Sequence, residues 1–207
     1  MKALIVSAHP DPTSLTHAVA AAIAGGIAAG SGQVEIVDLA EEGFDPRFGM
    51  ADRAVHQRTA PPPADVAREQ ARLERANALV LVYPVYWWSM PALLKGWIDR
   101  VFTNGWAFED GPGGQGLIKK LGWLQIHLVG LAGADEALYE RRGYRIAMNT
   151  QADLGIFGYC GAPVRTSEFL FGSETEDPAR LLAAAERIGR DVLLRTSALV
   201  ETPQNQR

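Results

Sequence analysis

Three clusters of residues in this chain could do chemistry, and each follows an apolar run. In Tyr83-Pro84-Val85-Tyr86-Trp87-Trp88-Ser89-Met90-Pro91, three consecutive large aromatics stand between two prolines. Such rings bury about 150–250 Å² each, so three in one loop call for a cover. A stacked planar ring, a partner subunit or the next helix would each supply one. In Ala8-His9-Pro10-Asp11-Pro12-Thr13-Ser14-Leu15-Thr16-His17-Ala18, hydroxyls and imidazoles gather where a helix begins. Free N–H groups and the helix dipole there suit a phosphate, and His9 and His17 add charge-assisted donors. An ordinary capped helix has the same composition. In Val129-Gly130-Leu131-Ala132-Gly133-Ala134-Asp135, small residues let backbone amides approach a ligand and donate to a developing anion. A plain strand-to-helix turn reads the same way. Neither Gly-x-Gly-x-x-Gly nor a Gly-x-x-x-x-Gly-Lys-Ser/Thr loop occurs, so the usual dinucleotide and triphosphate loops are absent.

The elements that must position these clusters alternate between strand and helix. Lys2–Ser7 is a short run rich in β-branched residues and reads as a buried strand. Thr13 or Ser14 caps a helix from about Leu15 to Ala29, which Gly30-Ser31-Gly32 ends. Val34–Leu39 reads as a second strand. Ala40 to about Pro63 is a long irregular excursion, suited to covering a site or meeting a partner. Ala64–Ala76 is a charged helix, Ala78–Tyr83 the clearest buried strand, and Pro91–Phe102 a helix with Pro91 in its first turn. Gly111–Gly116 is a loop, Lys120–Val129 a fourth strand, and Asp135 to about Gly161 a long, less regular helical stretch. Pro163–Leu170 is a fifth strand and Pro178–Leu199 a final amphipathic helix. The pattern predicts a parallel sheet with helices on both faces, in one domain spanning 1–199 with a polar tail at 200–207. In such a sheet, ligands bind beyond the carboxyl ends of the strands, where the three clusters fall together.

Composition narrows the function classes. The 207 residues are 47% hydrophobic and 21% charged, with a net charge of −4. Nucleic acid and anionic membranes need a basic face, so neither is the expected main partner. A single cysteine, Cys160, excludes an intrachain disulfide and fits a reducing compartment. The apolar run Ala3–Ala8 is short for a signal-peptide core, and no 18-residue apolar stretch exists, so a cytoplasmic protein is expected. No metal site is expected.

Taken together, the blocks resemble the NAD(P)H quinone oxidoreductase family of DT-diaphorase type. That family is a branch of the flavodoxin-like fold that also holds the ancillary flavoproteins of potassium-efflux systems. The carrying residues are Ala8-His9-Pro10 with Thr13–Ala18, and Tyr83 through Phe102. The second block reads Pro-x-x-Trp-x-x-x-Pro-x-x-Leu-Lys-Gly-Trp-x-Asp-Arg-Val-Phe, extended by Gly105-Trp106-Ala107-Phe108. The resemblance runs from Met1 to about Leu199.

It implies a flavodoxin-like five-stranded parallel sheet in the order 2-1-3-4-5. It also implies flavin-dependent two-electron reduction of quinones or similar electrophiles, in a ping-pong cycle through flavin N5. The cofactor is FAD, with FMN as the alternative, and the co-substrate is NADPH or NADH. His9, Thr16, His17 and Ala18 would hold the flavin phosphates. Pro84, Val85, Tyr86 and Trp87 would line the isoalloxazine edge. Gly130, Leu131, Ala132 and Gly133 would meet its pyrimidine end, where N–H donors offset negative charge on the reduced ring. This chain has Gly130-Leu131-Ala132-Gly133 where the family has Thr-Thr-Gly-Gly. It also lacks the family's histidine: Tyr139 fits the partner tyrosine, but the histidine position falls at Tyr144 or Arg145. Tyr139 and Arg145 are therefore the candidate catalytic pair. A homodimer is implied. The competing readings are a regulatory flavoprotein bound to a membrane transporter, and a one-electron carrier of flavodoxin type.

Overall fold

The computed structural model describes residues 1–111 and 116–197. In chain order it runs β1 (Lys2–Ser7), α1 (Leu15–Ala29), β2 (Gln33–Asp38), α2 (Met50–His56), α3 (Ala64–Glu74), β3 (Ala78–Pro84) and α4 (Ala92–Val101). A small hairpin, β4 (Phe108–Asp110) and β5 (Leu117–Lys119), precedes β6 (Gln125–Ala132). Then come α5 (Glu136–Arg142), α6 (Tyr144–Asn149), a π-helical segment (Thr150–Gly158), β7 (Val164–Phe171) and α7 (Pro178–Ser197). The expected polar tail, the last two residues of the final helix and the middle of the Gly111–Gly116 loop lie outside the described residues.

The main sheet has the order β2-β1-β3-β6-β7, all parallel. Once the hairpin is set aside, this is the expected 2-1-3-4-5 arrangement. Successive residues of β1 and β3 bury against opposite faces. Ala3, Ile5, Val80 and Val82 join α1 and α7 in one core. Leu4, Val6, Leu79, Leu81 and Tyr83 join α4 and the π-helical segment in the other. Burial on both faces explains why these strands are near-continuous apolar runs.

Several boundaries differ from expectation, each for a local reason. The excursion after β2 contains α2. Asp52 accepts a hydrogen bond from the Gly49 amide at 2.8 Å and so starts that helix without a Ser or Thr cap. Pro91 is the cap of α4 rather than a residue of its first turn. The fourth parallel strand begins at Gln125, because Lys120–Leu124 is spent on turns that bond Ala107, Leu121 and Cys160. The strand runs on through Gly130, Leu131 and Ala132. The hairpin leaves no trace in the sequence pattern, because three-residue strands show no period.

Two interior features fix neighbouring layers. At the α1–α7 crossing, a Cβ at Gly189 would lie 2.2 Å from the Ile23 carbonyl oxygen and 3.0 Å from the Gly26 Cα. The two backbones touch there, and no larger residue fits. On the other face, Arg100 of α4 is buried. It donates from Nε to Asp52 (2.9 Å), and from its terminal nitrogens to the Asp45 carbonyl (2.7 Å) and to Asp65 (2.6 and 3.3 Å). Its guanidinium also covers the Phe44 ring, 5.1 Å from the centroid. One side chain thus binds the excursion to α3 and α4.

Two buried groups have displaced acidities. Burial pushes the Cys160 thiol up to about 11, with Lys119 opposing. His127, fully buried on β6, pairs through Nδ1 with the Thr166 hydroxyl at 2.9 Å and has no partner for Nε2 among the described residues. Burial, reinforced by Arg195 and Arg165, lowers it from 6.5 to about 4. The folded state therefore disfavours the proton that the unfolded state accepts. The stabilisation is complete above pH 6.5 and is lost as the pH falls from there to about 4. That shift corresponds to roughly 3 kcal/mol. In urea titrations at pH 7.5 and 4.5, His127→Asn should lose less stability on acidification than the parent. Equal losses would remove His127 as the cause.

Candidate functional site

The carboxyl ends of β1, β3 and β6 lie side by side in the sheet, so the three clusters share one edge. After β3, the chain folds back at once. Tyr86 and Ser89 exchange both backbone hydrogen bonds, N to O, at 3.1 and 3.0 Å. The two residues between them are Trp87 (φ 50°) and Trp88 (φ 54°). This is a two-residue turn with both central residues in the left-handed region, a place normally taken by Asn-Gly. Bulky residues there are strained, and such strain gathers at functional sites. The turn holds Trp87 outward at 89% exposure.

The turn is braced from behind. Trp88 stacks on Tyr144, with ring centroids 4.2 Å apart at 30°. The Ser89 hydroxyl donates to Gln151 Oε1 at 3.0 Å. The Val85 amide donates to the Leu131 carbonyl at 2.8 Å, tying the turn to β6. Gln151 gives no signal as a site residue in the sequence, and Tyr144 stands out there only as a position for the family's histidine, because both act by contact across 56–62 positions.

The first cluster forms a stiff loop. Asp11 accepts from the Thr13 amide (2.8 Å) and hydroxyl (2.7 Å), and these bonds hold its carboxyl below the usual range. Ser14 stands at the helix cap, but its hydroxyl meets His17 Nδ1 at 2.8 Å instead of capping. His17 Nε2 meets Asp38 at 2.7 Å. Both ring nitrogens of His17 are thus engaged inside the protein. Contrary to expectation, His17 pins the helix start to the end of β2 and is not a spare donor. Thr16 is buried. Leu15 and Thr16 open α1 with amides that have no partner among the described residues, and an incoming anion would meet these. His9 takes the Asp11 amide on Nδ1 (3.1 Å) and lines a cavity of about 240 Å³ with Pro10, Pro12, Asp38, Ala40 and Glu41.

The third cluster needs the largest correction. Gly130, Leu131 and Ala132 are not loop residues. Each is paired with β7, and the first two also with Tyr83 and Pro84 of β3. Their backbones belong to the sheet, so a loop able to offer amides to a ligand begins only at Gly133. Gly133 lines a second cavity of about 430 Å³, between β7 and α7, with Phe171, Arg180 and Leu181.

Tyr139 and Arg145 are brought together, but neither stands free. Tyr139 is 2% exposed and is ringed by Tyr144, Phe169 and Phe171, with centroids 5.1–5.9 Å away. Burial pushes its hydroxyl up. Arg145 bonds Glu136 at 2.6 Å and Glu140 at 2.7 Å, and its guanidinium lies over Phe169 and Phe171. The geometry makes them a packed support. The side chain that touches the aromatic turn is Tyr144.

Comparisons with known proteins agree with this architecture. A family model described as a flavodoxin-like fold matches residues 1–192. The chain is 27% identical over 196 residues to NAD(P)H dehydrogenase (quinone) 1 of Cavia porcellus, covering 83% of this chain and 68% of that protein. It superposes on an NAD(P)H:quinone oxidoreductase from Methanothermobacter marburgensis with a TM-score of 0.83 and 28% identity, covering 93% and 98% of the two chains. It also matches general stress protein 14 of Treponema denticola, solved in complex with FMN. There the TM-score is 0.59 and the identity 26%, covering 96% and 99%.

Proposed function

This chain belongs to the flavodoxin-like family, on its quinone-reductase branch, and from that premise we propose that it is an NAD(P)H-dependent flavoenzyme reducing quinones or similar planar electrophiles. The observation that carries the reading is the left-handed Trp87-Trp88 turn, which presents a large ring to open space at the carboxyl edge of the sheet. The residues present fit a flavin. Trp87 gives a stacking surface, and the free amides at the start of α1 suit a phosphate. When bound, the flavin supplies hydride acceptance from NAD(P)H and hydride delivery to the acceptor.

The chain's own contribution is position. Pro84, Val85, Tyr86 and Trp87 form the seat, held by the Tyr144 stack and the Gln151 hydrogen bond. His9 and the amides of Leu15 and Thr16 would anchor the anionic end, while His17 and Asp38 keep that helix start in place. Gly133 closes the far side. A rigid seat of this kind converts binding into orientation. We extend the reading to FAD over FMN, with the long excursion at residues 40–63, which exposes Phe48 and Met50, as the cover for an adenosine half. A homodimer fits the exposed apolar side chains of Phe48, Met50, Ile146 and Leu154.

One open seat serves both substrates in turn. Initial rates measured over a grid of NADPH and quinone concentrations should give parallel double-reciprocal lines. Intersecting lines would exclude the shared seat. The mass of the cofactor released by heat should be that of FAD, and an FMN mass would refute that part of the proposal.

A further inference from the structure

The chain leaving α4 lines a cleft that the reading above does not use. The cleft holds about 360 Å³, and its lining includes Val55, Arg58, Gln70, Thr103, Asn104 and Trp106. The aromatic turn leads into the start of α4, whereas Thr103 follows its end. Ten helical residues span about 15 Å, so the cleft stands at the opposite edge of the sheet from the turn.

The floor of the cleft has unmet hydrogen bonds. Gln70 is 6% exposed, and both its amide hydrogens are spent, on the Val101 carbonyl (2.9 Å) and on the Thr103 hydroxyl oxygen (3.0 Å). This fixes the orientation of the amide and leaves Oε1 as an acceptor without a partner among the described residues. Thr103 is buried too, and because its Oγ1 accepts from Gln70, its own proton is left to donate. One acceptor and one donor thus lie side by side, a pattern that a primary amide completes. The Trp106 indole gives a fixed wall. Its Nε1 donates to Glu74 at 2.8 Å, and its ring stands edge-on to Phe102 with centroids 6.0 Å apart.

Arg58 supplies a charge at the mouth. Its φ is 59°, just past the C-cap of α2, where glycine is usual. Its guanidinium lies beside Gly105, where an added Cβ would be 3.7 Å from Nε. It pairs with Glu109 through one terminal nitrogen, leaving Nε and the other nitrogen unused. Glu109 is also met by Lys120 at 3.3 Å, so two cations share one carboxylate. Stability does not account for an arginine here. An ion pair this exposed contributes no more than the left-handed backbone costs a residue other than glycine.

We propose that this cleft is a binding site for a small planar aromatic acid that carries a primary carboxamide: the amide meets Gln70 and Thr103, the ring lies on Trp106, and the carboxylate takes the unused nitrogens of Arg58. Each pairing is complementary in direction. The amide N–H donates to Gln70 Oε1, and its carbonyl accepts from the Thr103 hydroxyl. The carboxylate accepts side-on from the guanidinium fork. Water alone would satisfy Gln70 and Thr103, but it gives no reason for a strained arginine beside the same cleft. The site does not depend on the flavin reading.

The test uses the purified full-length protein, with 4-carbamoylbenzoate as the probe. Calorimetric titration in saturating NADP⁺ should show one saturable site per chain. Benzoate, which lacks the amide, and benzamide, which lacks the acid, should each bind at least roughly tenfold more weakly. In ¹H–¹⁵N spectra the probe should move the Trp106 indole N–H, identified with Trp106→Phe, and leave the Trp87 and Trp88 signals in place. Arg58→Gly should weaken binding to the same degree, keep or raise the melting midpoint, and leave quinone reduction unchanged. A lower midpoint with binding intact would make Arg58 purely structural and overturn the proposal. So would the absence of saturable binding, or a probe that moves only the Trp87 and Trp88 signals. A protein that passes these tests yet retains no flavin would refute the seat and leave the cleft standing.

Discussion

Arg100→Ala should destabilise the fold by about 3–5 kcal/mol, the range for removing one partner of a buried ion pair. The reason is what stays behind. Asp52 is buried and loses the Arg100 Nε–H while still accepting from the Gly49 amide at the start of α2. Asp65 loses its guanidinium partner, the Asp45 carbonyl loses a donor, and Phe44 loses its cover. Lysine would not rescue the site. Its single ammonium cannot reach Asp52, Asp65 and the Asp45 carbonyl with three separate nitrogens as Arg100 does. Urea denaturation should show the lower midpoint, and limited proteolysis should show new cleavage within residues 40–63. An unchanged midpoint with unchanged protection would mean that the excursion is held by other contacts.

The second large effect separates stability from activity. Replacing Trp87-Trp88 with Asn-Gly should raise fold stability and lower activity together. Each bulky residue in the left-handed region costs on the order of 1–2 kcal/mol, which Asn-Gly avoids. Loss of the Trp88–Tyr144 stack takes back about 0.5–1.5 kcal/mol. The net gain is then about 0.5–3.5 kcal/mol, visible as a higher melting temperature of the cofactor-free protein. Flavin affinity should fall roughly tenfold or more with the loss of the Trp87 surface, and quinone reduction should fall with it. A variant that is both more stable and fully active would show that the strained turn has no part in the site.

Much of this architecture was legible from residue types. The runs at Lys2–Ser7 and Ala78–Tyr83 have one physical reading as short, β-branched, doubly buried strands, and both stand where expected. The aromatic cluster announced itself through the cost of exposing three rings. What stayed hidden depends on distant neighbours. Gly130, Leu131 and Ala132 look like a flexible loop by composition, yet they are sheet residues, because β7 pairs along one side and β3 along the other. His17 looks like a phosphate donor until Asp38, 21 residues away, takes its second nitrogen.

Cys160 carries a consequence for a catalyst that handles electrophiles. Quinones add to thiolates, and the thiol form reacts far more slowly. With its acidity constant pushed to about 11 and its sulfur buried, the single thiol of this chain is almost wholly protonated near neutral pH and shielded from approach. A thiol so placed is not offered to an electrophilic substrate, so arylation at sulfur should be slow in the folded protein and become fast only once the chain unfolds.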